Sequence, residues 1–399
     1  MPFSQELSLL VREHLHDDVQ QLALQRNRFP QLSDTDFRFL LQQIDGYQRT
    51  KDKLPSLAKI EGWWYPVRLS CEQCSSEATA HYKAQIINKL DTSKFIDLTG
   101  GYGIDSFFIA EHIKEADYVE RNPELCAIAA HNFAMTRPHI RIHNTAAETF
   151  LEQLIPAENT IIYLDPARRS ASGGKVFRME DCEPNIIELM PTLRRLSNYQ
   201  CFKLSPMIDI TAALHALGNE WDVHVVAVQN EVKEVVFING NGRTFAVNIQ
   251  PNLTDIINFQ QKEEKEAICK YAESLYTYLY EPNAAIIKSG AFKYIGKKYN
   301  IQKLDVNTHL YTSKECICDF PGRIWQVIAP NIKDSKELHQ IISSQTDKAT
   351  AKYSVMTRNY PLTPDQLRKK LKLQDGDDFY VIGARLKNQP IRIIGKRIK

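Results

Sequence analysis

No run of apolar residues in the 399-residue sequence approaches the roughly 18 needed to span a bilayer. The first residues, MPFSQELSLLVREHLHDD, lack a basic region followed by an apolar core, so no export signal is read and a cytoplasmic protein is expected. Repeats and low-complexity tracts are missing too. With 43% hydrophobic and 25% charged residues the chain is neither disordered nor fibrous, and its length suits two or three domains. Metal-ligand spacing is equally scarce. Of the eight cysteines (Cys71, Cys74, Cys126, Cys182, Cys201, Cys269, Cys316, Cys318), Cys71 and Cys74 form one CxxC, and the nearest histidine, His81, has no partner at ligand spacing. No metal is expected, and the cysteines read as reduced packing thiols rather than a disulfide framework.

Net charge is nearly absent, +2, until the chain is divided. Residues 281–399 carry 22 Lys and Arg against 11 Asp and Glu, and residues 1–280 carry 28 against 37. A C-terminal part at +11 suggests a basic module with a polyanionic partner, the alternative being a solvated surface.

What is present reads in three blocks. Residues 4–60 read as helical: Val11, Leu15, Val19 and Leu22 share one face, and Phe37, Leu40, Leu41 and Ile44 another. From Lys94 short apolar runs (KFIDL, ADYVE, HIRIH, TIIYLD, YQCFKLS) alternate with helical stretches, the signature of a parallel α/β sheet. Val223–Val228 and Val232–Ile238 lie too close together for a crossover, so they should pair antiparallel and end that sheet in a hairpin. A long tyrosine-rich helix is read around Glu263–Tyr280. Residues 323–399 then read as βαβαββ, with Thr363, Pro364 and Gln366 forming the start of a capped helix.

The most informative segment is FIDLTGGYGIDSFFIA, residues 95–110: a strand ending at Asp97, a glycine turn, then an amphipathic helix. Gly101-Tyr-Gly103 half-matches GxGxxG, but Ser106 stands in place of the third glycine, and Asp97 would repel a pyrophosphate. A dinucleotide oxidoreductase is therefore disfavoured and a non-phosphorylated nucleoside ligand favoured. Seventeen residues after Gly103, Glu120 ends the second strand, where a carboxylate can accept from both ribose hydroxyls.

Asp97-Leu-Thr-Gly-Gly-Tyr-Gly103, with Glu120, resembles the first motif and second-strand acid of class I S-adenosylmethionine-dependent methyltransferases. The resemblance covers roughly residues 70–250. It implies a doubly wound, Rossmann-like sheet of seven strands, S-adenosyl-L-methionine as cofactor, and a cofactor set of Asp97, Thr99, Gly100, Gly101, Gly103, Glu120 and Asp165. In HNTAAETF, residues 143–150, the family's adenine-binding acid is missing, which leaves backbone, Thr145 or Glu148 for that contact.

Asp165-Pro166-Ala167-Arg168 resembles the DPPR and (D/N)PP(Y/F/W) motifs of nucleic-acid methyltransferases, with alanine for the second proline and arginine for the stacking aromatic. The resemblance implies Asp165 as the catalytic base or orienter. Pro166 in that motif, Arg168 and Arg169 on a basic loop with Lys175 and Arg178 that could grip phosphate or move as a lid, and Lys203 and Ser205 at the carboxyl edge of the sheet are read as substrate residues. Leu204 holds no nucleophilic thiol and Cys201 lies within its strand, so direct attack on the sulfonium methyl is expected.

Two further segments carry the same resemblance. WWYPVRLSCEQCSSEATAHYKAQ, residues 63–85, resembles the lead-in of a bacterial subgroup, with Gln73 and Ser75 to Glu77 covering the cofactor. Trp63 and Trp64 read as core packing. Residues 279–293 resemble the small ferredoxin-like piece, and TAKYSVMTRNYPLTPDQLRKKLKL the THUMP-like domain, that this subgroup carries. That domain implies RNA as a partner by analogy, with Lys352, Arg358, Arg368, Lys369, Lys370 and Lys372 facing phosphates.

The expected organisation is a helical domain at 1–70, a methyltransferase domain at 71–278, a ferredoxin-like segment at 279–322 and a THUMP-like α+β domain at 323–399. The expected activity is RNA methylation with no membrane association. The alternatives are a non-catalytic RNA-binding factor that retains the cofactor fold, and a methyltransferase with a protein or small-molecule acceptor.

Overall fold

The computed structural model describes residues 5–168, 179–218, 220–345 and 351–399. They divide into two compact units, Met1–Trp221 with Val235–Asn239, and Asp222–Glu234 with Gly240–Lys399.

The first unit opens with helices Gln5–His14, Val19–Leu24 and Asp34–Thr50. The continuous face read through Val11, Leu15, Val19 and Leu22 is broken, because Asp18 accepts from the Gln21 amide at 2.9 Å and starts a new helix. Ser33 caps the third helix through the Asp36 amide. Leu7, Leu22, Phe29, Phe37, Leu40 and Ile44 close a small core of their own.

Five parallel strands follow: β1 (Lys94–Asp97), β2 (Glu115–Val119), β3 (Ile140–His143), β4 (Thr160–Leu164) and β5 (Tyr199–Leu204). Their order is β3-β2-β1-β4-β5, and Val235 to Ile238 run antiparallel against β5. Every residue of β4 is buried, as expected for a strand covered on both faces. Because β1 has β2 on one side and β4 on the other, the connections leave it in opposite directions, and a crevice opens at the carboxyl ends of the strands.

β6 (Trp221–Val228) turns into β7 (Glu231–Asn239) through Gln229 and Asn230, whose φ values of 50° and 67° form the tight turn suited to a hairpin. The expected reversal is present, but the sheet does not end there. β8 (Arg243–Gln250) pairs parallel with β6, and β9 (Leu253–Gln260) antiparallel with β8, adding strands to the seven expected. β9 escapes a sequence reading because it is half-exposed, with Leu253 and Ile256 facing solvent.

The tyrosine-rich helix expected over Glu263–Tyr280 is also corrected. Only Gln261–Glu266 is helical, and β10 (Tyr278–Pro282) already begins at Tyr278. Between them the backbone is claimed by a strand: the Ala272 amide donates to Lys303 O, and the Lys303 amide to Lys270 O. Tertiary pairing overrides helical propensity here.

β11 (Gln302–Asp305), β12 (Thr308–Ser313), β13 (Gly322–Ala329), β14 (Tyr353–Thr357), β15 (Phe379–Leu386) and β16 (Gln389–Arg397) join β10 in one sheet, ordered β11-β12-β10-β13-β16-β15-β14. With helices Ser335–Ser343 and Pro364–Leu371, residues 322–397 have the expected βαβαββ order. Thr363 and Gln366 complete a capping box with Pro364 at its start. Among the described residues no helix is long and apolar enough to cross a membrane.

Candidate functional site

A cavity of about 600 Å³ lies in the first unit at the carboxyl ends of β1, β2, β4 and β5. Its floor is the turn from Leu98 to Gly103, where Gly101 and Gly103 adopt φ values of 54° and 83°. A Cβ on Gly100 would fall 2.2 Å from the Tyr118 ring, and one on Gly103 2.7 Å from Phe133. Space and backbone together require glycine. Tyr118 locks the turn by donating its hydroxyl to Gly101 O at 2.6 Å.

Asp97 organises the turn from beneath. One carboxylate oxygen accepts from the Thr99 amide at 2.9 Å and the other from the Ser106 hydroxyl at 2.6 Å. Ser106, which breaks the dinucleotide pattern, therefore holds the acid that defines this one. Burial pushes the Asp97 carboxyl up to about 7; the Ser106 and Thr99 bonds pull it down, and Asp105 and Asp165 add to the rise.

Glu120, at the end of β2, accepts from the Gly101 amide and the Asn122 amide, both at 2.8 Å, one on each oxygen. Each oxygen keeps a lone pair for a further donor. At the other side, the Asp165 amide donates to the Thr99 hydroxyl at 2.6 Å, which ties the DPAR segment to the glycine turn. The Asp165 carboxylate is ion-paired with the Lys203 ammonium, and both residues line the cavity.

The structure thus brings Asp97, Thr99, Gly100, Gly101, Gly103, Glu120, Asp165, Pro166 and Lys203 to one cavity, with Thr145 and Glu148 on its wall. Ser205 is not on that wall; its hydroxyl accepts from the Met207 amide at 3.2 Å in the following turn. For Arg168 the backbone alone is described, in a two-residue pairing with Cys182, and Arg169, Lys175 and Arg178 lie outside the described residues.

Sequence reading missed a buried network beneath the wall. Lys83, fully buried, lies 3.2 Å from one Asp105 oxygen, while Ser75 and Tyr163 donate hydroxyls to the other at 2.8 Å each. Burial works against ionisation of Asp105, but Lys83, Lys203, Ser75 and Tyr163 outweigh it and hold the carboxyl below its usual range. A signal did exist: Lys83 falls between Thr79, Ala80, Ile86 and Ile87 on the buried stripe of helix Glu77–Ile87.

The N-terminal segment supplies the last wall through Ser70, Gln73, Cys74 and Ser75. Trp63 Nε1 donates to the Tyr102 hydroxyl at 2.7 Å, which donates in turn to Trp64 O at 3.1 Å. Trp63 is buried, and Trp64 stacks on His131 with ring centroids 3.8 Å apart.

Residues 278–321 match the model of a ferredoxin-like domain and residues 322–397 that of a THUMP domain-like family. No curated protein matches the chain in sequence. Over its whole length the chain is similar to the crystal structure of a candidate methyltransferase from Porphyromonas gingivalis W83, at 28% identity and a TM-score of 0.86, covering 100% of both chains. A candidate RNA methyltransferase from Pyrococcus horikoshii matches 48% of this chain and 96% of its own at 14% identity and a TM-score of 0.31. A candidate class I S-adenosylmethionine-dependent methyltransferase from Listeria monocytogenes matches 60% and 88% at 11% identity and a TM-score of 0.35. Likeness of that lesser degree carries no argument about chemistry. The chain has the class I methyltransferase fold with ferredoxin-like and THUMP-like regions after it.

Proposed function

We propose that this chain is an S-adenosylmethionine-dependent methyltransferase acting on RNA. The observation that carries the reading is the pair of carboxylates flanking one glycine turn, Glu120 with spare acceptor capacity on both oxygens and Asp165 clamped to Thr99. The residues fit the methyl donor. Glu120 would take the ribose hydroxyls, the turn from Thr99 to Gly103 would carry the body of the ligand, and backbone, Thr145 or Glu148 on the cavity wall would meet the adenine amino group. The donor supplies an electrophilic sulfonium methyl.

The chain's own residues then orient and deprotonate the acceptor. Asp165 would accept the acceptor's proton, and the Lys203 ammonium paired with it would stabilise negative charge as that proton leaves. Such a pair suits a hydroxyl or an imide N–H better than an amine, which turns cationic on methylation and would be repelled by Lys203. The 22 basic residues of 281–399 and the match to a THUMP domain-like model support RNA as the acceptor.

The test is incubation with methyl-labelled S-adenosylmethionine and total RNA or total protein from cells lacking the protein, with Asp165→Ala as control. Label in RNA with the unmutated chain alone is expected. Cofactor binding with no label in RNA would overturn the RNA acceptor.

A further inference from the structure

A second chemically competent site lies in the second unit. The loop between β12 and β13 carries Cys316 and Cys318, whose Sγ atoms are 3.4 Å apart, with Cys318 exposed. The buried Tyr280 places them. Its hydroxyl donates to Glu315 O at 2.9 Å and accepts from the Ile317 amide at 3.0 Å, gripping the backbone on both sides of Cys316. The Phe320 amide donates to Ile317 O at 3.1 Å, and the Phe320 ring packs 5.0 Å from that of Tyr280. Two thiols are thus presented side by side on a fixed loop. A disulfide needs the sulfurs at about 2.05 Å and Cα atoms within about 7 Å; residues two apart lie at most about 7 Å apart, and the sulfurs, now 3.4 Å apart, have about 1.4 Å to close.

We propose that Cys316 and Cys318 form a redox-active dithiol that closes to a disulfide by exchange with a small-molecule disulfide such as oxidised glutathione. The exposed Cys318 thiolate attacks the small disulfide, forming a mixed disulfide and releasing one small thiolate. The Cys316 thiolate then attacks the Cys318 sulfur and expels the second. One small disulfide is consumed, two small thiols form with the protons the cysteines gave up, and the chain loses two hydrogens. Burial, and then the Cys318 thiol beside it, push the Cys316 thiol above its ordinary value, which suits Cys316 to the resolving role.

The sequence offers a direct readout, because trypsin cleavage after Lys314 and Arg323 isolates both cysteines in the peptide ECICDFPGR. The full chain is incubated with excess oxidised glutathione, its free thiols are blocked with iodoacetamide, and the peptide is weighed. Loss of two hydrogens with neither cysteine blocked is expected. Cys316→Ser should instead retain one glutathione on Cys318, and Cys318→Ser should lose most of the reaction. Both cysteines blocked in the unmutated chain, or a stable glutathione adduct on its Cys318, would overturn the proposal. Thermal melts of both serine variants show whether the fold is kept, and the unmutated chain alone decides the question if either variant fails to fold.

Discussion

The indole N–H of Trp63 donates to the hydroxyl of Tyr102, a residue inside the glycine turn, at 2.7 Å in a buried setting. The lead-in to the sheet is thereby fastened to the loop that forms the cavity floor. Tyr102→Phe leaves that indole donor buried without an acceptor, at a penalty of about 1–3 kcal/mol. Trp64 O is spared, because Asn132 Nδ2 also donates to it at 3.0 Å. Urea unfolding should show the loss as a lower midpoint at unchanged slope, and an unchanged midpoint would remove Tyr102 from this fastening role.

Glu120 and Lys203 should fail in different ways. Glu120→Ala removes the carboxylate proposed for two ribose hydroxyls, so affinity for S-adenosylhomocysteine is expected to fall by about 150-fold or more, each hydrogen bond to a charged group contributing about 1.5–3 kcal/mol. Lys203→Met leaves the glycine turn intact and should lower methyl transfer by about 100-fold at similar affinity. Calorimetric titration with single-turnover transfer separates the two, and a Lys203→Met variant that loses binding alone contradicts the assignment.

Lys83 and Asp105 form a buried pair, and removing one partner strands the other. Lys83→Met is expected to destabilise the chain by about 3 kcal/mol or more. Lys83→Met with Asp105→Asn should recover over half of that loss, since an uncharged amide with Ser75 and Tyr163 beside it is cheaper to bury. Equal stability for the single and double variants would show that the pair contributes nothing.

Stability should also vary with pH through Asp97. Its folded carboxyl, near 7, lies above the ordinary value of 3.8, so folding favours the protonated form. That contribution is present in full below about 4 and is lost as pH rises toward 7. Asp97→Asn removes the dependence, so the variant should gain on the unmutated chain between pH 5 and pH 8 when the ligand-free proteins are melted side by side. Parallel melting curves across that range would disprove the linkage.

RNA binding should weaken on replacing Lys369, Lys370 and Lys372 with alanine, and the slope of log affinity against log salt should flatten by about 0.7 per lost phosphate contact on a single strand. Filter binding at several salt concentrations measures both. An unaltered slope would place the RNA surface elsewhere.

Much of the first unit is legible in the sequence because β1, β2, β4 and β5 are mostly buried and appear as short apolar runs. The glycine turn is legible because its spacing is a steric requirement, as Gly100 against Tyr118 shows. β8 and β9 were hidden because each exposes part of its surface, so their alternation is diluted. The segment after Glu266 misled because its tyrosines and alanines fit a helix as well as they fit the pairing with Lys303 that the fold imposes. Ser106 stood out only as a mismatch; its hydrogen bond to Asp97 is a contact nine residues away in sequence, and spacing alone does not reveal it.

The cavity wall made by Ser70, Gln73, Cys74 and Ser75 has a consequence during synthesis. These residues leave the ribosome well before Lys203, the farthest part of the cavity in sequence. At about 5–20 residues per second, the wall waits about 6 to 26 seconds for its opposite side. The small core around Leu22, Phe37 and Leu40 can shield the early helices in that interval. The cradle is complete only once β5, which carries Lys203, has been made.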